Sequence, residues 1–317
     1  MHRTKRILIL AGVCLAIIAA YVLIGLNAQN MGYHLPRRLH ILLAMVIISL
    51  ALSWSATSFQ TIVENHILTP SLIGLDSLYL FIQTTVIYFF GSRQLAAMNN
   101  VRDFLLTVLV MVAAAGILYS LMFKGRQGNI HFLVLVGLVA GQLFRALASF
   151  MQLRIDPDEF SIMQGRMFAS FNNLNQSLTG VAIVCVVAGM AISLFDVHRL
   201  DVLTLGRDQA VSLGVSYTNM VRRQLFMVAV MVSVATVLGG PVSFLSILAV
   251  NAARRFLHTY RHIPVLIGST LISLCCLLVG QFSLERILNF NVPSNVVINL
   301  VGGIYLLVLL MRQGRNG

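Results

Sequence analysis

Long apolar runs recur along almost the whole of this 317-residue chain, and they leave it few ways to fold. A helix needs about 20 mostly apolar residues to cross a hydrocarbon core about 30 Å thick. Ten stretches meet or approach that length: 7–28, 39–60, 71–91, 104–123, 130–153, 177–196, 224–238, 242–256, 264–282 and 296–311. They are continuous rather than alternating, so they predict helices and not barrel strands. The seventh and eighth are short and meet at Gly239-Gly240-Pro241, which interrupts the helical hydrogen-bond ladder and predicts a broken or re-entrant element. Charged residues are only 10% of the chain against about 25% in a soluble domain, too few to cover a water-facing surface. The expected class is an all-α, polytopic membrane protein with about ten transmembrane helices. No linker, low-complexity tract or long charge run divides it, so residues 1–317 are expected to form one transmembrane domain.

The basic residues set an expected orientation. With the N-terminus inside and ten spans, the inside segments hold Arg3, Lys5, Arg6, Lys124, Arg126, Arg199, Arg207, Arg222, Arg223, Arg254, Arg255, Arg261, Arg312 and Arg315. The outside segments hold half as many: Arg37, Arg38, Arg93, Arg102, Arg154, Arg166 and Arg286. Positive residues stay on the cytoplasmic side, so both termini are expected there. The net charge of +12 is first a topology device. It is split between two faces and forms no continuous stripe, which argues against a nucleic-acid partner. The first apolar run is too long for a signal-peptide core and no A-x-A-like site follows it, so it is expected to be retained.

Several chemistries find no support. There is no G-x-x-x-x-G-K-[ST] phosphate loop, so the chain is expected to bind no ATP and to carry no cofactor. Neither H-E-x-x-H nor G-x-S-x-G is present, and no catalytic residues are assigned. Cys14, Cys185, Cys275 and Cys276 all lie in apolar runs, which points to packing rather than disulfides or a metal cluster. His258 and His262 are spaced i,i+4 but lack a third ligand, and His66, His131 and His198 have no ligand spacing, so no metal site is expected.

Polar residues inside the spans need a reason. Asp76 is a carboxylate about six residues into the third span, and a charge at membrane depth costs roughly 2.5–3.5 kcal/mol or more. It should therefore face protein, water or a partner, and Arg145 in the fifth span is one candidate. Gln60, Gln83, Gln142 and Asn251 add amides, and Asn172, Asn173, Asn175 and Gln176 crowd the start of the sixth span. Gln60, Asp76, Gln142, Asn172, Asn173, Asn175 and Gln176 are candidate linings of a translocation path, because amides give adaptable polar walls without trapping a charge. The alternative is interhelical hydrogen bonding, worth about 0.6 kcal/mol on average. Gly137 and Gly141, spaced as G-x-x-x-G, suit close helix packing.

One stretch carries a more specific signal. Residues 55–74 read SATSFQTIVENHILTPSLIG, which resembles the SGxxxQxxxxNPLAxPxxLG signature of the FecCD-type permeases, the membrane subunits of ABC importers for ferric siderophores, haem and vitamin B12. Ser55, Gln60, Asn65, Pro70 and Gly74 fall on that pattern, with Leu72 next to its second Leu position. Ala56 stands where the family has Gly, and His66 where it has Pro. The continuation LDSLYLFIQT looks most like the ferric-catecholate branch. Downstream, GRDQAVSLGV at 206–215 is similar to the family's G-(E/D)-x-A-x-SLGV segment. GPVSFLSILAVNAAR at 240–254 is similar to GPIGFVGLIVPHxAR, with Val250 for its Pro and Asn251 for its His. The three matches occur in family order.

The resemblance implies a vitamin-B12-importer-like permease fold in the bacterial cytoplasmic membrane, moving a ferric siderophore, of catecholate type, by alternating access. It implies two ATPase subunits holding ATP and Mg, a second permease chain identical or paralogous, and a substrate-binding protein. Arg207, Asp208, Ala210, Ser212, Leu213 and Gly214 would belong to the helix that couples to the ATPase. The bland alternative is an ordinary interfacial helix. Thr204 and Asp208 are cap-type residues and Gly214 can end the turn in a left-handed conformation. Arg37 matches the second Arg of the family's R-L-P-R, and Arg38 and Arg286 lie near docking positions. Such arginines would pair with carboxylates on the binding protein, since the planar guanidinium holds a carboxylate bidentately, or else anchor lipid headgroups. Rival readings are a haem or cobalamin permease of the same family, an ion-coupled secondary transporter using Asp76, and a membrane-embedded enzyme.

Overall fold

A computed structural model describes residues 2–24, 31–97, 101–123, 130–167, 176–286, 299–300 and 302–305. The apolar runs fold as α1 (His2–Leu23), α2 (Met31–Ile62), α3 (Asp76–Ala97), α4 (Val101–Phe123), α5 (Ile130–Gln152), α7 (Gln176–Leu194), α10 (Tyr217–Gly239), α11 (Ser243–Leu257) and α12 (His262–Arg286). Between them lie α6 (Pro157–Met167), α8 (Val197–Leu203) and α9 (Arg207–Ser212), and a π-helical turn at Ser71–Leu75 precedes α3. Among the described residues, seven helices are long and apolar enough to cross a membrane: α1, α2, α4, α5, α7, α10 and α12. Gly91, at φ 73°, bends α3. At 15 residues α11 is short, about 22 Å at 1.5 Å per residue.

The axis of the bundle is α2. Every residue from Ala51 to Ile62 is buried, because α10, α12, α7 and α11 all pack against this helix. Its run of small polar residues makes that possible. Ser55 Oγ donates to Ala51 O at 2.6 Å, Thr57 Oγ1 to Ser53 O at 2.7 Å and Thr61 Oγ1 to Thr57 O at 3.0 Å. These three hydroxyls are satisfied within their own helix, and the slim side chains let neighbouring helices approach closely. A core of Ile48, Met45, Trp54, Val234 and Leu277 fills the gaps.

Two expectations are corrected here. The seventh span is not short: α10 begins at Tyr217 and includes Arg222 and Arg223. Arg223 can enter the helix because Asp196 neutralises it. The polar segment at 154–176 contains α6, and its opening signals a helix start that the sequence reading passed over. Asp156 Oδ1 accepts the Asp158 N–H at 3.1 Å, Pro157 takes the first helical position, and Asp158 and Glu159 lie in the first turn, where the helix dipole favours acids.

The bundle's two ends differ in charge. Lys5, Arg6, Arg199, Arg207, Arg222, Arg223, Arg254, Arg255 and Arg261 gather at one end, hereafter the basic end. At the other, Arg37, Arg38, Arg102, Arg154 and Arg286 are interspersed with Asp103, Asp156, Asp158, Glu159 and Glu285.

Candidate functional site

At mid-depth the chain breaks two helices side by side. Gly74 has φ 107°, which an L side chain rarely adopts. It lies against α5, where a Cβ on Gly141 would sit 2.8 Å from Gly74 Cα, and one on Gly74 would sit 3.0 Å from Gly137 O. The G-x-x-x-G pair is therefore a seat for a third glycine. Gly141 lies about 16 Å along α5 from Ile130 by the helical rise. Two residues beyond Gly74, Asp76 opens α3. Ser243 Oγ donates to its Oδ2 and Thr236 Oγ1 to its Oδ1 at 3.4 Å, with Ser71 a further hydroxyl partner. Thr236 and Ser243 flank the second break, where Gly240 at φ 78° ends α10 before Pro241. One buried carboxylate thus ties both interruptions together. Arg145 reaches the adjacent Ser77 Oγ at 3.4 Å, so the direct partners of Asp76 are hydroxyls, not the arginine expected for it.

At the basic end, two short helices stand between α7 and α10 where the sequence suggested one. Gly206, at φ 100°, starts α9 with no side-chain cap, and Thr204 Oγ1 instead bonds back to Asp201 O at 2.6 Å. Gly214, at φ 85°, closes it. Val215 N–H reaches Ala210 O at 3.0 Å and Gly214 N–H reaches Val211 O at 2.9 Å, the paired bonds of a Schellman stop. Ala210 is fully buried and turns the helix onto the bundle, while Leu205, Val211 and Leu213 are 55%, 52% and 65% exposed. Arg207 lies over the Tyr217 ring at 5.1 Å, and Asp208 and Ser212 face outward.

These short helices are moored by buried charge. Asp196, 0% exposed, accepts from Arg199 Nη1 at 2.9 Å, from Arg223 Nε at 2.6 Å and Nη2, and from Gln224 Nε2 at 3.4 Å. Asp201 accepts the His262 backbone N–H at 2.8 Å and stands 2.6 Å from His262 Nδ1, and His262 Nε2 meets Thr61 Oγ1 at 2.9 Å. One line of contacts thus joins α8, α12 and α2. Burial alone would raise the Asp201 carboxyl, but the ring and backbone donors of His262 outweigh it and hold the group below the usual value. Asp201 and Thr61 line an open cleft of about 1390 Å³ at this end, with Gln60, His66, Arg254 and Arg261, well above the usual size of a small-molecule pocket.

At the opposite end, Arg38 Nη1 donates to the carbonyls of Tyr21, Val22 and Ile24 at 2.9–3.0 Å. Arg286 Nη2 donates to Ile24 O at 2.9 Å. Both side chains satisfy the last carbonyls of α1, so they brace that helix, whereas Arg37 is exposed. The described candidate path residues lie in different surroundings. Gln60 is buried at the basic end, and its amide has no hydrogen-bond partner among the described residues. Asp76 is enclosed at mid-depth, and Gln142 is exposed on α5. Gln176 is exposed at the start of α7, and Asn172, Asn173 and Asn175 lie outside the described residues. Among the described residues, no three His, Cys, Asp or Glu side chains cluster to hold a metal ion.

Sequence reasoning passed over the moorings. Asp196 closed the sixth apolar run and Asp201 followed it in a polar segment, and only their distant partners, Arg223 and His262, reveal a function.

Apolar helices of membrane length around a mid-depth pair of helix breaks, with a moored apolar knob at one end, describe a multi-pass membrane permease. Comparison with known proteins gives the lineage: the chain belongs to the FecCD transport family, whose profile matches residues 7–312. It is accordingly a transport subunit and not an enzyme. It is 44% identical over 317 residues, covering 100% of both chains, to the petrobactin import system permease protein YclO of Bacillus subtilis (strain 168). It is 33% identical over 277 residues to the petrobactin import system permease protein FatC of Bacillus anthracis, covering 87% of this chain and 78% of that one. A solved metal-chelate type ABC transporter in an inward-facing conformation shares the fold, with TM-score 0.83 at 20% identity over 98% of this chain and 99% of that one.

Proposed function

We propose that this chain is the permease of an ATP-driven importer that carries a ferric siderophore of the catecholate class across the bacterial cytoplasmic membrane. The observation that carries the ATP-driven part is the α8–α9 knob: three exposed apolar side chains on and beside two short helices that Asp196, through Arg223, and Asp201, through His262, tie to α10 and α12. A surface of that kind transmits force when a partner seats on it. One of the two ATPase subunits that supply ATP and Mg would bind there, so the basic end and both termini would face the cytoplasm. This orientation follows the positive-inside rule. A second permease chain, identical or paralogous, completes the translocation unit, and residues 1–317 act as one domain. The substrate class rests on the full-length likeness to a petrobactin permease, petrobactin being catecholate-containing. Arg37, exposed at the opposite end, would meet a carboxylate of the binding protein.

The decisive experiment is uptake of radioactive iron by cells whose only permeases of the family are this chain and its partner permease. Iron presented as petrobactin is expected to enter, and iron presented as a hydroxamate chelate, haem or cobalamin is not. Uptake that persists without ATP, or that favours a hydroxamate, would overturn the reading.

A further inference from the structure

Between α2 and the π-helical turn, the chain runs without helical support. Glu64 adopts a left-handed φ of 54°, Asn65 N–H reaches back to Gln60 O at 3.1 Å, and Asn65 Oδ1 accepts the Ile67 N–H at 2.9 Å. Beyond this local turn, the segment is held from a distance by α11. Asn251 Nδ2 donates to His66 O at 2.9 Å, and Arg254 Nη1 donates to His66 Nδ1. The two donors are three residues apart and so share one helix face. His66 and Asn251 are also positions at which this chain departs from the FecCD pattern, with His for Pro at 66 and Asn for His at 251. The two departures touch. A His at 251 would return an imidazole to the neighbourhood of Arg254 from its own helix, and a Pro at 66 would keep the backbone carbonyl. Each arrangement supplies one imidazole, one carbonyl and one guanidinium.

We propose that His66 and Asn251 are a matched pair of positioning residues for transport, clamping the segment that leads from α2 to the mid-depth breaks onto α11. The consequence is mechanical. The helix α11 packs on α12, α12 is tied through His262 to Asp201 on α8, and α8 carries the knob. Displacement of the knob is passed through the clamp to the Ser71–Leu75 turn and its contact with α5. This route rests on the reading that an ATPase seats on the knob.

The clamp needs a neutral imidazole, because Arg254 donates to Nδ1. Packing around the ring, and then the Arg254 charge, hold the His66 pKa below its ordinary 6.5. A lowered value means that the neutral form, and with it the clamp, is fully favoured above 6.5 and is lost as the pH falls through the lowered value. The other charged or titratable groups around this cleft are Glu64 in the same segment, His198 and Asp201 on α8, His258 closing α11, and Tyr260 and Arg261 before α12.

The test uses the whole transporter, with permeases, ATPases and binding protein, in vesicles. Substrate moved per ATP hydrolysed is measured for wild type, His66→Pro, Asn251→His, the double variant and His66→Gln, with co-purification of the ATPase confirming assembly. Each of the first two single variants is expected to lower the ratio about fivefold and the double variant to return within about twofold of wild type, a non-additivity typical of residues in contact. Losses that multiply in the double variant would overturn the pairing. His66→Gln keeps an acceptor that does not titrate, so it should hold the ratio steady as the pH is lowered from 7.5 through the depressed His66 value, where wild type declines. A wild-type pH profile in His66→Gln would overturn the imidazole's role. Wild-type vesicles that transport without ATP would instead sink the importer reading itself.

Discussion

The contact between Gly74 and Gly141 gives the most direct measure of how closely this bundle is fitted. Gly141→Ala adds one methyl group, 2.8 Å from Gly74 Cα, where an ordinary contact is 3.4–4 Å. The obstacle is backbone, so no side chain can swing away, and α5 must separate from the π-helical turn. Overpacking of this kind costs about 1–3 kcal/mol, equivalent to about a 5- to 150-fold shift in the folding equilibrium. The shift also pulls on Asp76, two residues past Gly74, and on its hydroxyl partners. Gly116 in α4 is the internal control: a Cβ there meets nothing within 4 Å, and replacing a helical glycine by alanine is favourable by up to about 1 kcal/mol. Thermal melts in detergent, followed by loss of a monodisperse chromatographic peak, should place Gly141→Ala below wild type and Gly116→Ala level with it or above. If Gly141→Ala melts with or above Gly116→Ala, the close approach is not a determinant of stability and the reasoning fails.

Three further outcomes are expected. Leu213→Asp, which puts a charge on an exposed apolar residue of the knob, should leave the protein inserted but abolish substrate-stimulated ATP hydrolysis; normal uptake would remove the knob from the coupling surface. Arg37→Glu should weaken association with the binding protein, most at low ionic strength where screening is least. A single exposed pair is worth only about 0.2–1 kcal/mol, so charge reversal is the informative change, and unaltered binding at low salt would make Arg37 a lipid anchor. Asp201 has a lowered carboxyl pKa, so its tie to His262 is fully present above the ordinary value of 3.8 and is lost as the pH falls through the lowered one. Acid melts of wild type and Asp201→Asn should therefore converge only below about pH 4, and equal melts at neutral pH would show that the tie adds no stability.

The sequence by itself determined the medium and the all-helical class. Apolar runs near 20 residues with few charges admit only membrane helices, and the uneven distribution of Lys and Arg predicted two unlike ends. It also located the break at Gly240, the stop at Gly214 and the G-x-x-x-G packing pair, because glycine's conformational freedom is a local property. Only the tertiary structure decided which polar residues meet. Arg38 and Arg286, 248 positions apart in the chain, converge on the last carbonyls of α1, so their role depends on where α1 ends. Asp76 turned to the hydroxyls of Thr236 and Ser243 rather than to Arg145, and Asp196 found Arg223 through a helix that begins seven residues earlier than hydropathy suggested. A hydrogen bond is decided by ångströms between segments hundreds of residues apart, whereas apolar periodicity reports only on a segment's own surroundings. The pairing of His66 with Asn251 needed both: the sequence marked each as unusual, and packing placed them in contact.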